Sequence, residues 1–187
     1  MFGMVPTLCL PRGGFKSVAP RSTSMSIEET VGESLRERGE FVAAAESCTG
    51  GLIGSLLTDV PGSSDYFDRS VVTYSYDAKL ALGVPREHLD SAGAVSEPVA
   101  RSMARAVRDA SGVTWSVATT GIAGPTGGSE EKPVGTVYIA VAHAGEWGDG
   151  ESWCRVERYV FDGDRTEIKR KIAEQALSDL RSAVEAA

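Results

Sequence analysis

The run Phe41-Val42-Ala43-Ala44-Ala45 is apolar throughout and ends in Glu46-Ser47-Cys48-Thr49-Gly50-Gly51. Leu52, Ile53, Leu56 and Leu57 then follow at helical spacing. A buried strand that turns through hydroxyls and glycines into an amphipathic helix belongs in a sheet covered by helices. The pattern recurs along the chain. Ser70 to Tyr74 is β-branched and strand-like, and a helical turn holding Ala78, Lys79 and Leu80 follows, with Asp77 as its expected cap and Gly83 as its stop. Trp115 to Ala118 is a second buried strand, and it runs into a loop from Thr119 to Gly128 too rich in glycine for regular structure.

The remaining segments complete one domain. Ser26-Ile27-Glu28-Glu29 opens a first helix, with a serine cap and acids in its first turn. Pro85 to Leu89 reads as a turn, and Ser96-Glu97-Pro98 starts a helix whose apolar face is Val99, Met103, Ala106 and Val107. Two alternating strands, from Val134 and from Trp153, lie next to each other in the chain, and a long helix from Thr166 closes it. The expected fold is a single three-layer α/β domain with a mixed, mainly parallel sheet flanked by helices. In 187 residues, 42% hydrophobic content supplies a core without disulfides or metal staples.

Charge and cysteine usage narrow the function classes. The net charge is −7, and residues 1–24 hold only basic charges, so the acidity lies in residues 25–187. An acidic body argues against nucleic-acid binding. Lysine is scarce, at positions 16, 79, 132, 169 and 171. Such a surface suits high salt, where self-repulsion is screened. Cys9, Cys48 and Cys154 are widely separated and have no metal-ligand spacing, and neither His88 nor His143 lies near a cysteine pair, so no metal is expected. No apolar run approaches the roughly 20 residues of a membrane span, which gives a cytoplasmic expectation. Residues 1–24 read as a basic tail or an over-long start before Met25. Tyr66 and Phe67 read as exposed loop aromatics suited to a subunit contact, and a homo-oligomer is expected.

In open α/β sheets, ligands bind beyond the carboxyl ends of the strands. The loops at 46–51, 74–79 and 119–132 would converge there. Ser47 is a helix cap or a nucleophile, and Lys79 is a surface lysine or, if desolvated, a base. Cys48 is a small filler or a rival thiol nucleophile. Each histidine reads as a surface residue, so a Ser-His-Asp arrangement is poorly supplied. The 121–128 loop matches neither common glycine-rich phosphate fingerprint, yet its glycines admit close approach by a ligand.

Four ordered motifs are similar to the CinA C-terminal domain family: Glu46 to Gly51; Val72-Thr73-Tyr74-Ser75 with Ala78-Lys79; Gly93-Ala94-Val95-Ser96-Glu97-Pro98; and Gly121 to Gly128 with Lys132-Pro133-Val134-Gly135-Thr136-Val137. The resemblance covers residues 26–185. It implies hydrolysis of the carboxamide of nicotinamide mononucleotide to nicotinate mononucleotide and ammonia, in pyridine-nucleotide salvage. It further implies Ser47, Tyr74 and Lys79 as catalytic residues and no metal or organic cofactor. Tyr76-Asp77 stands where an Asn-Glu or similar polar pair is expected. The matching segments suggest a substrate-binding set of Cys48, Thr49, Gly50, Gly51, Thr120, Gly121, Gly124, Gly127, Gly128 and Lys132. In it the 48–51 turn supplies oxyanion donors, and Lys132 grips the ribose phosphate of the nucleotide. The alternative from the same pattern is a non-catalytic nucleotide-binding or regulatory module.

Overall fold

The computed structural model describes residues 25–145 and 150–187. The basic segment 1–24 lies outside the described residues. Five strands form one sheet: β1 (Val42–Glu46), β2 (Phe67–Val72), β3 (Trp115–Gly121), β4 (Thr136–His143) and β5 (Trp153–Val160). Their order is β2-β1-β3-β4-β5. β1 pairs in parallel with β2 and β3, while β4 is antiparallel to both β3 and β5. Four of the five strands therefore point the same way, and only β4 runs against them.

Six helices cover the sheet: α1 (Ile27–Arg38), α2 (Leu52–Thr58), α3 (Tyr76–Leu82), α4 (Arg86–Ala92), α5 (Glu97–Ser111) and α6 (Arg165–Glu185). α1, α2 and α6 pack together on one face, and α5 lies on the other with α3 and α4 against it. Strand alternation divides β1 between the two cores. Val42 and Ala44 join Ile53, Leu57, Trp115 and Ile172 on the first face. Ala43 and Ala45 join Val99, Met103 and Val107 on the second. The small alanine side chains let helices approach β1 closely from both sides, which brings the turn after β1 into the middle of the domain.

The caps explain several boundaries. Ser26 and Glu29 form a reciprocal capping box at α1, as the sequence signature predicts. A second box, Asp164 with Glu167, starts α6 one residue before the expected Thr166. The α3 cap is Ser75, whose hydroxyl accepts the Ala78 N–H at 3.1 Å, and Asp77 lies inside the helix. The stretch expected as a turn from Pro85 is the two-turn helix α4. On α5 the inward positions include Ala100 and Ala104, while Ala106 is half-buried.

Tyr66 is corrected most. It is fully buried, its hydroxyl donates to the Leu57 carbonyl at 2.8 Å, and its ring fills the space left by the missing side chain of Gly32. It locks α2 to the start of β2 and offers nothing to a subunit contact. The exposed aromatics near the sheet edge are instead Tyr74 and Tyr76.

Candidate active site

Ser47 follows directly on β1 and is fixed there by its backbone, whose N–H donates to the Thr119 carbonyl at 3.0 Å. Glu46, the last residue of β1, sets what lies around it. Its carboxylate is fully buried and accepts from the backbone N–H groups of Gly51 (2.8 Å), Ile53 (3.1 Å) and Gly54 (2.9 Å), and from the Ser70 hydroxyl at 2.7 Å. These N–H groups are the unpaired donors at the start of α2, so Glu46 caps that helix and ties it to β2 in one cluster. Gly54 lets the helix come close, since a Cβ there would meet the Ser70 Cβ at 2.7 Å.

Lys79 arrives from α3. It is 1% exposed, an unusual state for a lysine, and its Nζ lies 2.9 Å from Ser47 Oγ and 2.7 Å from the Thr73 carbonyl. Thr73 is itself held by its N–H to the Glu46 carbonyl at 2.8 Å. Ser47 and Lys79 are thus both positioned from one residue, through the chain to Ser47 and through Thr73 to Lys79. Among the described residues no carboxylate pairs with the ammonium, and burial pushes the Lys79 pKa down from 10.5.

Cys48 also borders the cleft, but burial pushes its thiol up to about 12. At neutral pH it is a neutral thiol with little nucleophilic character. Iodoacetamide is expected to label it about a thousandfold more slowly than an ordinary thiol, as the thiolate fraction dictates. Peptide mapping measures this directly, and rapid labelling would restore Cys48 as a rival nucleophile.

These groups open into a cleft of about 260 Å³. Ser47, Cys48, Tyr74, Lys79, Thr120, Gly121, Gly124 and Gly127 all line it. The other expected binding residues stand outside that lining. Thr49 is buried with its hydroxyl against that of Thr119 at 2.8 Å, and the Gly51 N–H is occupied by Glu46. Gly50 and Gly51 take left-handed φ of 65° and 98°, so their role in the turn is conformational. Gly128 packs on the backbone of Val134. Lys132 donates to the Ala92 carbonyl at 3.1 Å, which ties its loop to the end of α4. Thr120 donates to the Ala94 carbonyl at 2.6 Å and holds the 94–95 segment as one wall of the cleft.

Tyr74 stands at the rim, 63% exposed, and its hydroxyl accepts from Arg165 Nη2 at 3.1 Å rather than bonding Ser47 or Lys79. Arg165 is the residue that sequence reasoning missed. The first residue of α6, it also donates through Nη1 to the Gly124 carbonyl, so it joins two cleft walls and adds a cation to the lining. One signal was present: a basic residue at a helix N-terminus opposes the helix dipole, which invites a reason for it. Among the described residues, no cluster of His, Cys, Asp or Glu could hold a metal ion, and no helix is long and apolar enough to cross a membrane.

The family model described as the CinA C-terminal domain matches residues 24–184. The chain belongs to this family. A CinA-like protein of Chlorobium limicola is 51% identical over 155 residues, which cover 82% of this chain and 36% of the relative. The chain thus spans little more than a third of the length of such CinA-like relatives. A shorter relative, nicotinamide-nucleotide amidohydrolase PncC of Shigella flexneri, is 47% identical over 160 residues, covering 85% of this chain and 93% of that protein. In structure, the CinA superfamily protein KP700603 of Klebsiella pneumoniae matches with a TM-score of 0.79 at 30% identity, over 86% of this chain and 97% of that one.

Proposed function

We propose that this CinA-family domain is a serine amidase that hydrolyses the carboxamide of nicotinamide mononucleotide, releasing ammonia and nicotinate mononucleotide. The observation that carries the proposal is the buried Lys79 Nζ at 2.9 Å from Ser47 Oγ on the floor of an open cleft. The activity named for the Shigella relative supplies the substrate class. Ser47 Oγ attacks the amide carbon while Lys79 takes the hydroxyl proton directly. The tetrahedral intermediate collapses as Lys79 returns that proton to the departing nitrogen, leaving a nicotinoyl ester on Ser47. Water, deprotonated by the same lysine, then cleaves the ester.

In this reading the neighbouring groups do different work. With the Ser47 and Gly51 N–H groups engaged, the oxyanion donor of the turn is the Cys48 N–H, on the residue that borders the cleft beside Ser47. Tyr74 bears on the substrate at the mouth of the cleft, outside the Ser47–Lys79 proton path. Arg165, with its rigid fork of donors, takes the phosphate role in place of Lys132. The reaction calls on no metal or organic cofactor. The deciding experiment is an ammonia-release assay over a panel of pyridine nucleotides and simple amides. Release from nicotinamide mononucleotide is expected, with Ser47→Ala slower by at least about a thousandfold in a folded protein. A Ser47→Ala variant that turns over normally would defeat the proposal.

A further inference from the structure

β5 is an edge strand of eight residues, and its two faces are unequally covered. α5 packs on the face bearing Cys154 and Val156. The other face carries Trp153, Arg155, Glu157 and Tyr159, which stand opposite His143, Val141, Ile139 and Val137 of β4. There α6 packs against β3 and β4, and an apolar-floored trough of about 190 Å³ lies between it and β5, lined by Ile139, Val141, Trp153, Arg155, Asp179 and Ala183.

Backbone phase fixes which groups β5 offers. The Phe161 N–H bonds the Gly135 carbonyl, so in this antiparallel ladder the odd-numbered residues bond to β4. Cys154, Val156 and Arg158 turn their N–H and C=O groups outward. The bond from Arg101 to the Cys154 carbonyl agrees with this phase, and it leaves Val156 as the centre of the open stretch. An outward row of this kind is a template for another strand.

The side chains select that strand. We propose that β5 pairs antiparallel with β5 of a second copy of this chain, about a two-fold axis at Val156, joining the two sheets into one of ten strands. In this register Val156 faces Val156, Arg155 faces Glu157, and Trp153 faces Tyr159. Both charge pairs and both aromatic pairs form by symmetry, and directly opposed pairs of these types stabilise a sheet. Moving the axis by one residue sets Arg155 against Arg155 or Glu157 against Glu157, so charge excludes the neighbouring registers. The Arg155 guanidinium already lies over the Trp153 ring, 4.5 Å from its centroid, which holds it beside the position its partner glutamate takes. The pairing is independent of the amidase proposal, since no β5 residue lines the cleft.

Light scattering on the full chain after size exclusion tests the pairing. The expected mass is twice the 19.7 kDa of one chain. Arg155→Glu is expected to weaken association about a hundredfold, because like charges then face each other at two symmetric places. The double variant Arg155→Glu with Glu157→Arg restores the opposed pairs and the dimer. Val156→Cys reads the register itself: under oxidation it gives a disulfide-linked dimer absent from the native chain, whereas Arg155→Cys does not. Circular dichroism confirms that each variant is folded. A monomeric native chain, or a dimer indifferent to Arg155→Glu, overturns the proposal.

Discussion

Replacing Lys79 with methionine is expected to abolish most turnover while making the protein more stable. The activity loss is roughly a thousandfold, the contribution of a general base placed against its nucleophile. The gain in stability, about 1 kcal/mol at neutral pH, comes from removing a buried ammonium that no carboxylate pairs. The signs follow from desolvation, which lowers the Lys79 pKa in the folded state below the 10.5 of an exposed lysine. Between those two values the unfolded chain binds a proton that the folded chain does not. Stability of the native protein therefore rises with pH across that window, and the full penalty applies below it. Turnover rises with pH through the same folded-state pKa, because the amine must be free to act. Lys79→Met removes both slopes. Denaturant titrations and kcat/KM profiles over the same pH range measure them together, and a less stable variant, or one that keeps the native acid limb, contradicts this role.

Glu46→Ala is expected to damage the fold itself. Its carboxylate satisfies three backbone donors at the start of α2 and the hydroxyl of Ser70, all from a fully buried position. Removing it leaves those donors without partners, at a cost of about 3–5 kcal/mol. That is a large part of the roughly 5–15 kcal/mol that holds a domain together. Glu46→Gln retains one acceptor oxygen and is expected to lose less. Urea unfolding midpoints separate the three proteins, and a Glu46→Ala loss below about 1 kcal/mol would show that water replaces the carboxylate. Activity is expected to fall with stability, because the Glu46 carboxylate fixes the start of α2 and with it the turn that carries Ser47.

Much of this molecule is written locally. The apolar run before Glu46, the glycines after it, the capping residues Ser26 and Ser96-Glu97-Pro98, and the helical spacing of the last twenty residues each depend on near neighbours alone. Errors of reading fall where distant contacts decide. Tyr66 looks exposed beside polar loop residues, yet the space above Gly32 makes it a core residue. Asp77 looks like a cap, but Ser75 reaches the free N–H first. Lys132, in the glycine-rich loop, looks like a phosphate ligand, while its amine is turned to Ala92.

The sequence by itself determined the layered α/β fold, the strand-to-helix turn at Ser47 and the family to which the chain belongs, since periodicity and motif spacing are properties of short segments. Only the tertiary structure decided that Lys79 is buried against Ser47, that Glu46 is a structural clamp, and that Arg165 joins two walls of the cleft from 91 residues beyond Tyr74. The reason is physical. Desolvation and hydrogen-bond partnership arise from what packs around a group, and a one-dimensional pattern does not carry that information.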